Sequence, residues 1–257
     1  MKATARAICL AVTLLGASLA FGAEIHVMIS GGFSAAYRTL TPQFEQATRH
    51  KVVTVQGPSM GDTAQAIPNR LRRGERADVL IMVDSEFDEL IRQGRVVPGS
   101  RVNLARADIG VAMRAGSPKP DIGSVEAFKR ALLDAKSIAY SDSASGVYLA
   151  SVVFPRLGIA DQLAGKSKMI PAEPVGAVVA RGDAEIGLQT ISALIPVPGI
   201  EVVGPIPAEV QKATIFSAGI VVAAKEPDAG RALIRFLASP AAAPAVRKTG
   251  MEPLAAR

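Results

Sequence analysis

The stretch ADVLIMV, Ala77 to Val83, decides the fold expected of this chain. It is apolar except for Asp78 and lacks the polar alternation of a strand with one face in water. An unbroken apolar run of this length is typical of a parallel strand that helices cover on both faces. The residues that follow, SEFDELIRQG (85–94), predict such a helix. We therefore expect an α/β fold.

Strands and helices alternate upstream of this stretch in the same way. EIHVMIS (24–30) and KVVTVQ (51–56) predict strands, and each precedes a predicted helix, at residues 35–48 and 62–74. Pro68 predicts a kink or break in the second helix. A strand-helix order repeated three times indicates a parallel sheet with helices on its faces.

The rest of the chain predicts a second α/β unit, and its last segment is expected to return to the first unit. Lobe 1 is expected to comprise residues 24–105 with 214–257, and lobe 2 residues 106–213. Ligands of such sheets bind at the carboxyl ends of strands, and a cleft between lobes is a favoured place. The predicted strands span 108–116, 137–141, 167–172, 184–189, 199–207 and 214–224, and the helices 124–135, 146–158, 173–183 and, as a pair, 228–250.

The N-terminus predicts a cleaved signal peptide over residues 1–23. Lys2 and Arg6 precede a short apolar run, AICLAVTLLGASLA (7–20), and small residues suited to signal peptidase follow. An anchoring helix is disfavoured because the run stops before Glu24. Since the one cysteine is Cys9, the exported chain would hold no disulfide. We expect a periplasmic protein without membrane insertion.

Composition favours a small anionic ligand over nucleic acid. The formal charge is +6, and it falls to +4 when Lys2 and Arg6 leave with the signal peptide. Aromatic residues make up only 4% of the chain, and the basic residues are dispersed apart from RLRRGER (70–76). Basic and aromatic residues are not interleaved as they are in nucleic-acid-binding surfaces.

Hydroxyl-bearing and glycine residues collect where predicted strands end and helices begin. The stretches are SGGFS (30–34), GPSMGDT (57–63) and SDSASGVY (141–148). Helix N-termini carry unpaired N–H groups, so such loops suit an anion, although each hydroxyl on its own also serves as a helix cap. The expected substrate-binding residues are Ser30, Gly31, Gly32, Ser59, Met60, Thr63, Arg70, Ser141, Ser143, Ser145, Gly146, Tyr148 and Gln189.

Arg70 is the expected carboxylate clamp, because a guanidinium matches a carboxylate in shape. The alternative, that Arg70 belongs to a solvated basic cluster, is equally open. Metal sites are not expected, since His26 and His50 are the only histidines and no Cys/His cluster exists.

The order SGGFS, GPSMGDT, ADVLIMV, GDAEIGLQ and FSAGIVVAAKEPDAGRALIRFLASP resembles periplasmic solute-binding proteins of the molybdate-binding type. The resemblance covers nearly the whole exported chain. It implies a two-lobed periplasmic-binding-protein-like fold of type II, which is commonly monomeric, with the hydroxyls of Ser30 and Ser59 holding an oxyanion. Molybdate binders commonly carry a tyrosine after the strand matching EIGLQ, whereas Gln189 and Thr190 stand here.

Two longer stretches are more similar to the aconitate isomerases, which share this fold: PSMGDTAQAIPNRL (58–71), and AYSDSASGVYLA (139–150) continued by MIPAEPVGAVVARGDAEIG (169–187). That resemblance implies an enzyme that interconverts trans- and cis-aconitate, a tricarboxylate, by an allylic proton shift without a cofactor. The residues leave the proton-transferring group open. Tyr148 and Asp142 are the leading candidates, and Asp62, Glu173 and His26 are also conceivable.

Two other roles stay open at this point. One is a non-catalytic receptor that delivers a carboxylate or a molybdate-like oxyanion to the permease of an ABC transporter. The other is a sensory binding lobe for a signalling partner.

Overall fold

The computed structural model describes residues 22–171 and 173–254. The predicted signal peptide, residues 1–23, lies outside this range except for its last two residues. Within the described range, no helix has the length and apolar character needed to cross a membrane.

The described residues alternate between strands and helices. The strands are β1 (Glu24–Ile29), β2 (Lys51–Gln56), β3 (Val79–Val83), β4 (Val102–Ala107), β5 (Ile109–Arg114), β6 (Ile138–Ser141), β7 (Ser167–Ile170), β8 (Ile186–Thr190), β9 (Ile200–Pro205), β10 (Thr214–Ile220) and β11 (Glu252–Pro253). The helices are α1 (Ser34–Thr48), α2 (Ile67–Arg72), α3 (Phe87–Arg92), α4 (Val125–Asp134), α5 (Ala144–Tyr148), α6 (Phe154–Arg156), α7 (Ala160–Leu163), α8 (Val175–Arg181), α9 (Ile191–Leu194), α10 (Pro227–Leu237) and α11 (Ala243–Lys248). A π-helical turn, Leu149–Val153, joins α5 to α6.

The strands form two sheets, which define the two lobes. In the described residues, the first sheet has the order β11-β4-β10-β3-β1-β2 and the second has the order β7-β6-β8-β5-β9. β2, β1 and β3 are parallel, whereas β10 runs antiparallel to β3 and β4. The second sheet repeats this plan, with β7, β6 and β8 parallel and β5 antiparallel to β8 and β9. Both sheets are therefore mixed, not wholly parallel.

β3 is buried along its whole length because helices pack on both of its faces. Val79, Ile81 and Val83 join the apolar cluster that includes α1 and α10. Leu80 and Met82 point the other way, into a cluster with α2 and α3. The unbroken apolar run thus combines two alternating sets of side chains, one facing each apolar cluster.

The second sheet is covered on both faces in the same manner. Ile138, Ile186 and Leu188 pack with Phe128 of α4 on one face. Ala139 and Ile170 pack with α8 on the other.

Two chain segments pass between the lobes, and one glutamine ties them together. The first crossing is residue 108, between β4 and β5, and the second lies between β9 and β10. The Gln211 side chain accepts the Ile109 N–H and donates to the Ile109 carbonyl, both at 2.9 Å. The two crossings therefore lie side by side.

Local differences from the sequence-based expectations have simple causes. α2 begins at Ile67, because Pro68 occupies the first turn, where its missing N–H costs nothing. Residues 57–66 form an irregular loop with Gly61 at φ +98°. β4 and β11 were not predicted from the sequence.

Candidate functional site

A cavity of about 460 Å³ lies between the lobes at the carboxyl ends of the parallel strands. Its wall in the first lobe includes Ser30 after β1, Gln56 at the end of β2 and Val83 at the end of β3. Its wall in the second lobe includes Asp142 after β6 and Thr190 at the end of β8. The volume falls in the range typical of small-molecule sites.

Two buried serines of the first lobe present hydroxyl groups to this cavity. Ser30 is 4% exposed, and its Oγ is buried without a hydrogen-bond partner among the described residues. Ser59 is 2% exposed, and its Oγ accepts the Val83 N–H at 3.0 Å. Because the Ser59 oxygen is already an acceptor, its O–H is left to donate into the cavity. Both hydroxyls therefore suit a ligand that accepts hydrogen bonds.

Glycines let the first-lobe loops approach their neighbours closely. A Cβ at Gly32 would lie 2.1 Å from the Phe216 ring, and a Cβ at Gly57 would lie 2.0 Å from the Gln65 carbonyl. Phe216 and both glycines line the cavity. The shape of this wall consequently depends on the absence of side chains at these two positions.

The serine-rich stretch of the second lobe forms a triangle of hydroxyls at the start of α5. Ser141 Oγ lies 2.7 Å from Ser143 Oγ and 3.2 Å from Ser145 Oγ, and the latter two are 3.3 Å apart. Ser143 is the N-cap of α5, and Ser143 and Ser145 line the cavity. The two lining hydroxyls can redirect their protons to an anion, beside the positive end of the helix.

Gly146 lets α5 start directly against the end of β6. A Cβ at this position would lie 1.6 Å from the Ser141 carbonyl oxygen. Gly146 itself does not line the cavity, and its place in the fold is explained by this close packing.

Gln189 also presents a donor to the cavity. Its Oε1 accepts the N–H of Val175, the first residue of α8, at 3.3 Å. With its oxygen held in this way, the amide NH₂ is the part left for a ligand. Thr190, 5% exposed, follows it in the lining.

Among the described lining residues, the ionisable side chains are Arg38, Asp142 and Glu173. Arg38 is exposed and forms no ion pair with a described residue. Glu173 is paired with Arg181, and hydrogen bonds from that guanidinium lower the pKa of the Glu173 carboxyl. Glu173 is therefore ionised at neutral pH, and Arg181 offsets its charge. In this lining, the groups that can donate to an anion are therefore neutral side chains and Arg38.

The cavity brings together one part of the predicted site and leaves another part outside. The lining includes the predicted residues Ser30, Gly31, Gly32, Ser59, Ser143, Ser145 and Gln189, with the proton-transfer candidates Asp142 and Glu173. The predicted residues outside the lining are Met60, Thr63, Arg70, Ser141, Gly146 and Tyr148, together with the candidates Asp62 and His26.

Arg70 and Tyr148 are engaged elsewhere. Arg70 donates to Glu75 at 2.6 Å and to the Gln65 carbonyl at 3.0 Å, so it braces the loop that carries Ser59. The Tyr148 hydroxyl donates to the Val210 carbonyl at 3.3 Å. The Lys212 ammonium lies 5.3 Å from the Tyr148 ring centroid.

Arg38 is the ionisable residue of the described cavity lining that sequence reasoning missed. It lies four residues after Ser34 on α1, and both residues line the cavity. Helical spacing places position i+4 beside position i, on the side opposite the buried Leu40 and Phe44. That spacing was available in the sequence once the end of β1 was expected to hold the ligand.

Two α/β lobes that enclose a donor-lined cavity at their strand ends define the class of two-lobed solute-binding proteins. The chain belongs to the family described as bacterial extracellular solute-binding protein, which it matches over residues 25–252.

Some similar proteins are named for the ligand that they bind, and another for an enzymatic activity. An aconitate isomerase from Pseudomonas sp is 50% identical over 231 residues, which cover 90% of this chain and 88% of that protein. The molybdate-binding protein ModA of Azotobacter vinelandii is 28% identical over 250 residues, 93% of this chain and 95% of that protein. Among solved structures, the sulfate-binding protein SubI from Mycobacterium tuberculosis H37Rv superposes with a TM-score of 0.72 at 17% identity, covering 90% of this chain and 87% of that one.

Proposed function

We propose that this protein is an isomerase that interconverts trans- and cis-aconitate in the cavity between its lobes. The observation that carries the proposal is the 50% identity, over 90% of the chain, to an aconitate isomerase. The donor-rich lining supports it, because a tricarboxylate needs many hydrogen-bond donors.

Substrate binding is assigned to the hydroxyls of Ser30, Ser59, Ser143 and Ser145 and to the Gln189 amide. In each wall these donors sit where strands end and helices begin, so backbone N–H groups add to them. The cavity of about 460 Å³ has room for an organic polycarboxylate.

The reaction moves one proton and one double bond. A base removes a proton from the substrate methylene, the double bond shifts, and a proton is returned to the former vinylic carbon. The composition of the substrate is unchanged, so no oxidant or reductant takes part. The protein groups that donate hydrogen bonds to the substrate carboxylates stabilise the negative charge that spreads onto the carboxylate oxygens in the dienolate-like intermediate.

Asp142 is our choice for the proton-transferring residue, because it lines the second-lobe wall of the cavity. Tyr148 is the weaker choice, since its hydroxyl donates to Val210 outside the lining.

Purified protein incubated with trans-aconitate tests the proposal directly, with cis-aconitate followed by proton NMR. We expect wild type and Tyr148→Phe to reach the same equilibrium mixture at similar rates. Asp142→Asn is expected to slow turnover about 10²- to 10⁴-fold, the usual contribution of general acid–base catalysis. Saturable binding of trans-aconitate without turnover by wild type would reject the isomerase.

A non-catalytic receptor of an ABC transporter is the second candidate, favoured by the family match and by the 28% identity to a molybdate-binding protein. Tight binding of molybdate, with no affinity for trans-aconitate, would support it. In either role we propose a monomer in the periplasm, exported by the leader at residues 1–23 and divided into lobes at 24–105 with 214–257 and at 106–213. Membership of an extracellular family and the separate sheets support this arrangement.

A further inference from the structure

The face of α1 that borders the cavity carries one side chain with a permanent charge. Ser34, Ala35 and Arg38 line the cavity, whereas Ala36, Tyr37, Leu40 and Phe44 are buried in the first-lobe core. At 100° per residue these two sets occupy separate faces of the helix. Arg38 is therefore held on the cavity side by the packing of its own helix.

The charge of Arg38 has no partner within the described part of the chain. Two other arginines of the first lobe, Arg70 and Arg73, are by contrast both paired with Glu75. The two carboxylates of the cavity lie in the second lobe, and Glu173 is occupied by Arg181. An arginine beside a cavity, with no internal carboxylate, is available to one supplied by the ligand.

The other donors of the cavity are neutral hydroxyls and an amide. Neutral donors hold any oxyanion, so they discriminate little between a ligand with one anionic group and a ligand with several. A guanidinium binds a carboxylate through two parallel hydrogen bonds. Because its position is fixed, it requires that carboxylate to lie at a set distance from the anionic group that the neutral donors hold. Arg38 thus supplies a second, separate anchor point.

From these observations we propose that Arg38 determines specificity, by binding one carboxylate of a polycarboxylate ligand whose other carboxylate is held by the serine hydroxyls. This assignment rests on the proposed function for the class of substrate. It concerns binding alone, however, and is tested without turnover.

The test is calorimetric titration with propane-1,2,3-tricarboxylate, which has no double bond to shift. Glutarate and methylsuccinate are the same molecule without the central or without a terminal carboxylate. We expect Arg38→Gln to weaken tricarboxylate binding about 10- to 100-fold, the usual loss for hydrogen bonds to a charged group. Affinity for the dicarboxylate that lacks the Arg38-bound group should change less than about twofold. Arg38→Lys keeps the charge but loses the two parallel N–H donors of the guanidinium. Its affinity for the tricarboxylate should therefore lie between those of wild type and Arg38→Gln.

Arg130→Gln is the matched control, because Arg130 is an exposed arginine of α4 outside the cavity lining. Far-ultraviolet circular dichroism checks that both variants are folded. Equal tricarboxylate affinities in wild type and Arg38→Gln would overturn the proposal, as would a wild type that fails to bind the tricarboxylate. A wild type that binds it through Arg38 but does not convert trans-aconitate would uphold this proposal while rejecting the isomerase.

Discussion

The carboxylate of Asp78 accepts the backbone N–H of Lys225 at 2.6 Å, joining two residues that lie 147 positions apart. The same carboxylate accepts the N–H groups of Glu226 at 3.1 Å and of His26 at 2.7 Å. Asp78 is completely buried and immediately precedes β3. It therefore fixes the start of α10, and with it the returning C-terminal segment, to the centre of the first sheet.

Replacing Asp78 by alanine should destabilise the protein by about 3 kcal/mol or more, because three backbone N–H groups lose a fully buried acceptor. Urea denaturation gives the free energy of unfolding. Asp88→Ala is the control, since Asp88 is 77% exposed and its surface ion pair with Arg101 contributes at most about 1 kcal/mol. Similar losses in the two variants would show that Asp78 does not hold the sheet and α10 together.

The two serines of the first-lobe wall should respond differently to alanine. Ser30→Ala removes a buried hydroxyl that has no partner among the described residues, so we expect unchanged or slightly raised stability together with about 10- to 100-fold weaker anion binding. Ser59→Ala should lose affinity and also about 1–3 kcal/mol of stability, because the Val83 N–H is left buried and unpaired. Thermal unfolding with and without trans-aconitate measures both effects. Unchanged affinity in both variants would reduce these serines to structural roles.

Gly146→Ala should disrupt the second-lobe wall. The added Cβ would meet the Ser141 carbonyl at 1.6 Å, a backbone atom that cannot swing aside. We expect a loss of about 1–3 kcal/mol in unfolding free energy, as for other overpacked sites, and a smaller stabilisation by ligand. Gly165→Ala, where nothing lies within 4 Å of the new Cβ, is the control. Should Gly146→Ala match this control in stability and ligand response, α5 does not require a glycine there.

The ion pair of Glu173 and Arg181 predicts a pH dependence. Hydrogen bonds from Arg181 lower the pKa of Glu173 below its ordinary value of 4.5. The stabilisation from this shift is present above pH 4.5 and is lost as the pH falls through the lowered pKa. The difference in melting temperature between wild type and Glu173→Gln should therefore shrink on acidification.

A double-mutant cycle with Arg181→Gln assigns that pH dependence to the pair. The coupling between the two substitutions should be measurable at neutral pH and vanish in acid. A coupling that is the same at both pH values would contradict the assignment. Because both groups are exposed, added salt should weaken the coupling as well.

The fold was predictable from sequence where a local residue pattern has a single structural explanation. ADVLIMV is apolar because both faces of β3 are covered, and the helices on either side carry matching apolar faces. β4 was missed because buried and exposed positions do not alternate regularly along its sequence, VNLARA. The strand lies next to the edge of the sheet, which the short β11 forms. Its place depends on pairing with β10, more than a hundred residues later, which no local pattern reveals.

The candidate site was predictable in its loops but not in its charged groups. Hydroxyls and glycines at strand ends point to the cavity because strand ends converge at one edge of a sheet. The choice between Arg38 and Arg70 depends on which guanidinium finds an internal carboxylate. Arg70 forms an ion pair with Glu75, a local contact whose geometry the sequence leaves open. Arg38 instead projects from a helix whose other face is buried.

The route of the chain through β10 has a consequence for synthesis. β3 acquires its second neighbour in the sheet only when β10 emerges, after the whole of the second lobe has been made. Until then the nascent polypeptide carries a fully apolar strand with one unpaired edge, the kind of surface that invites aggregation. Premature termination before Thr214 would leave that edge uncovered, so the segment that begins at Thr214 protects a strand made much earlier in the chain.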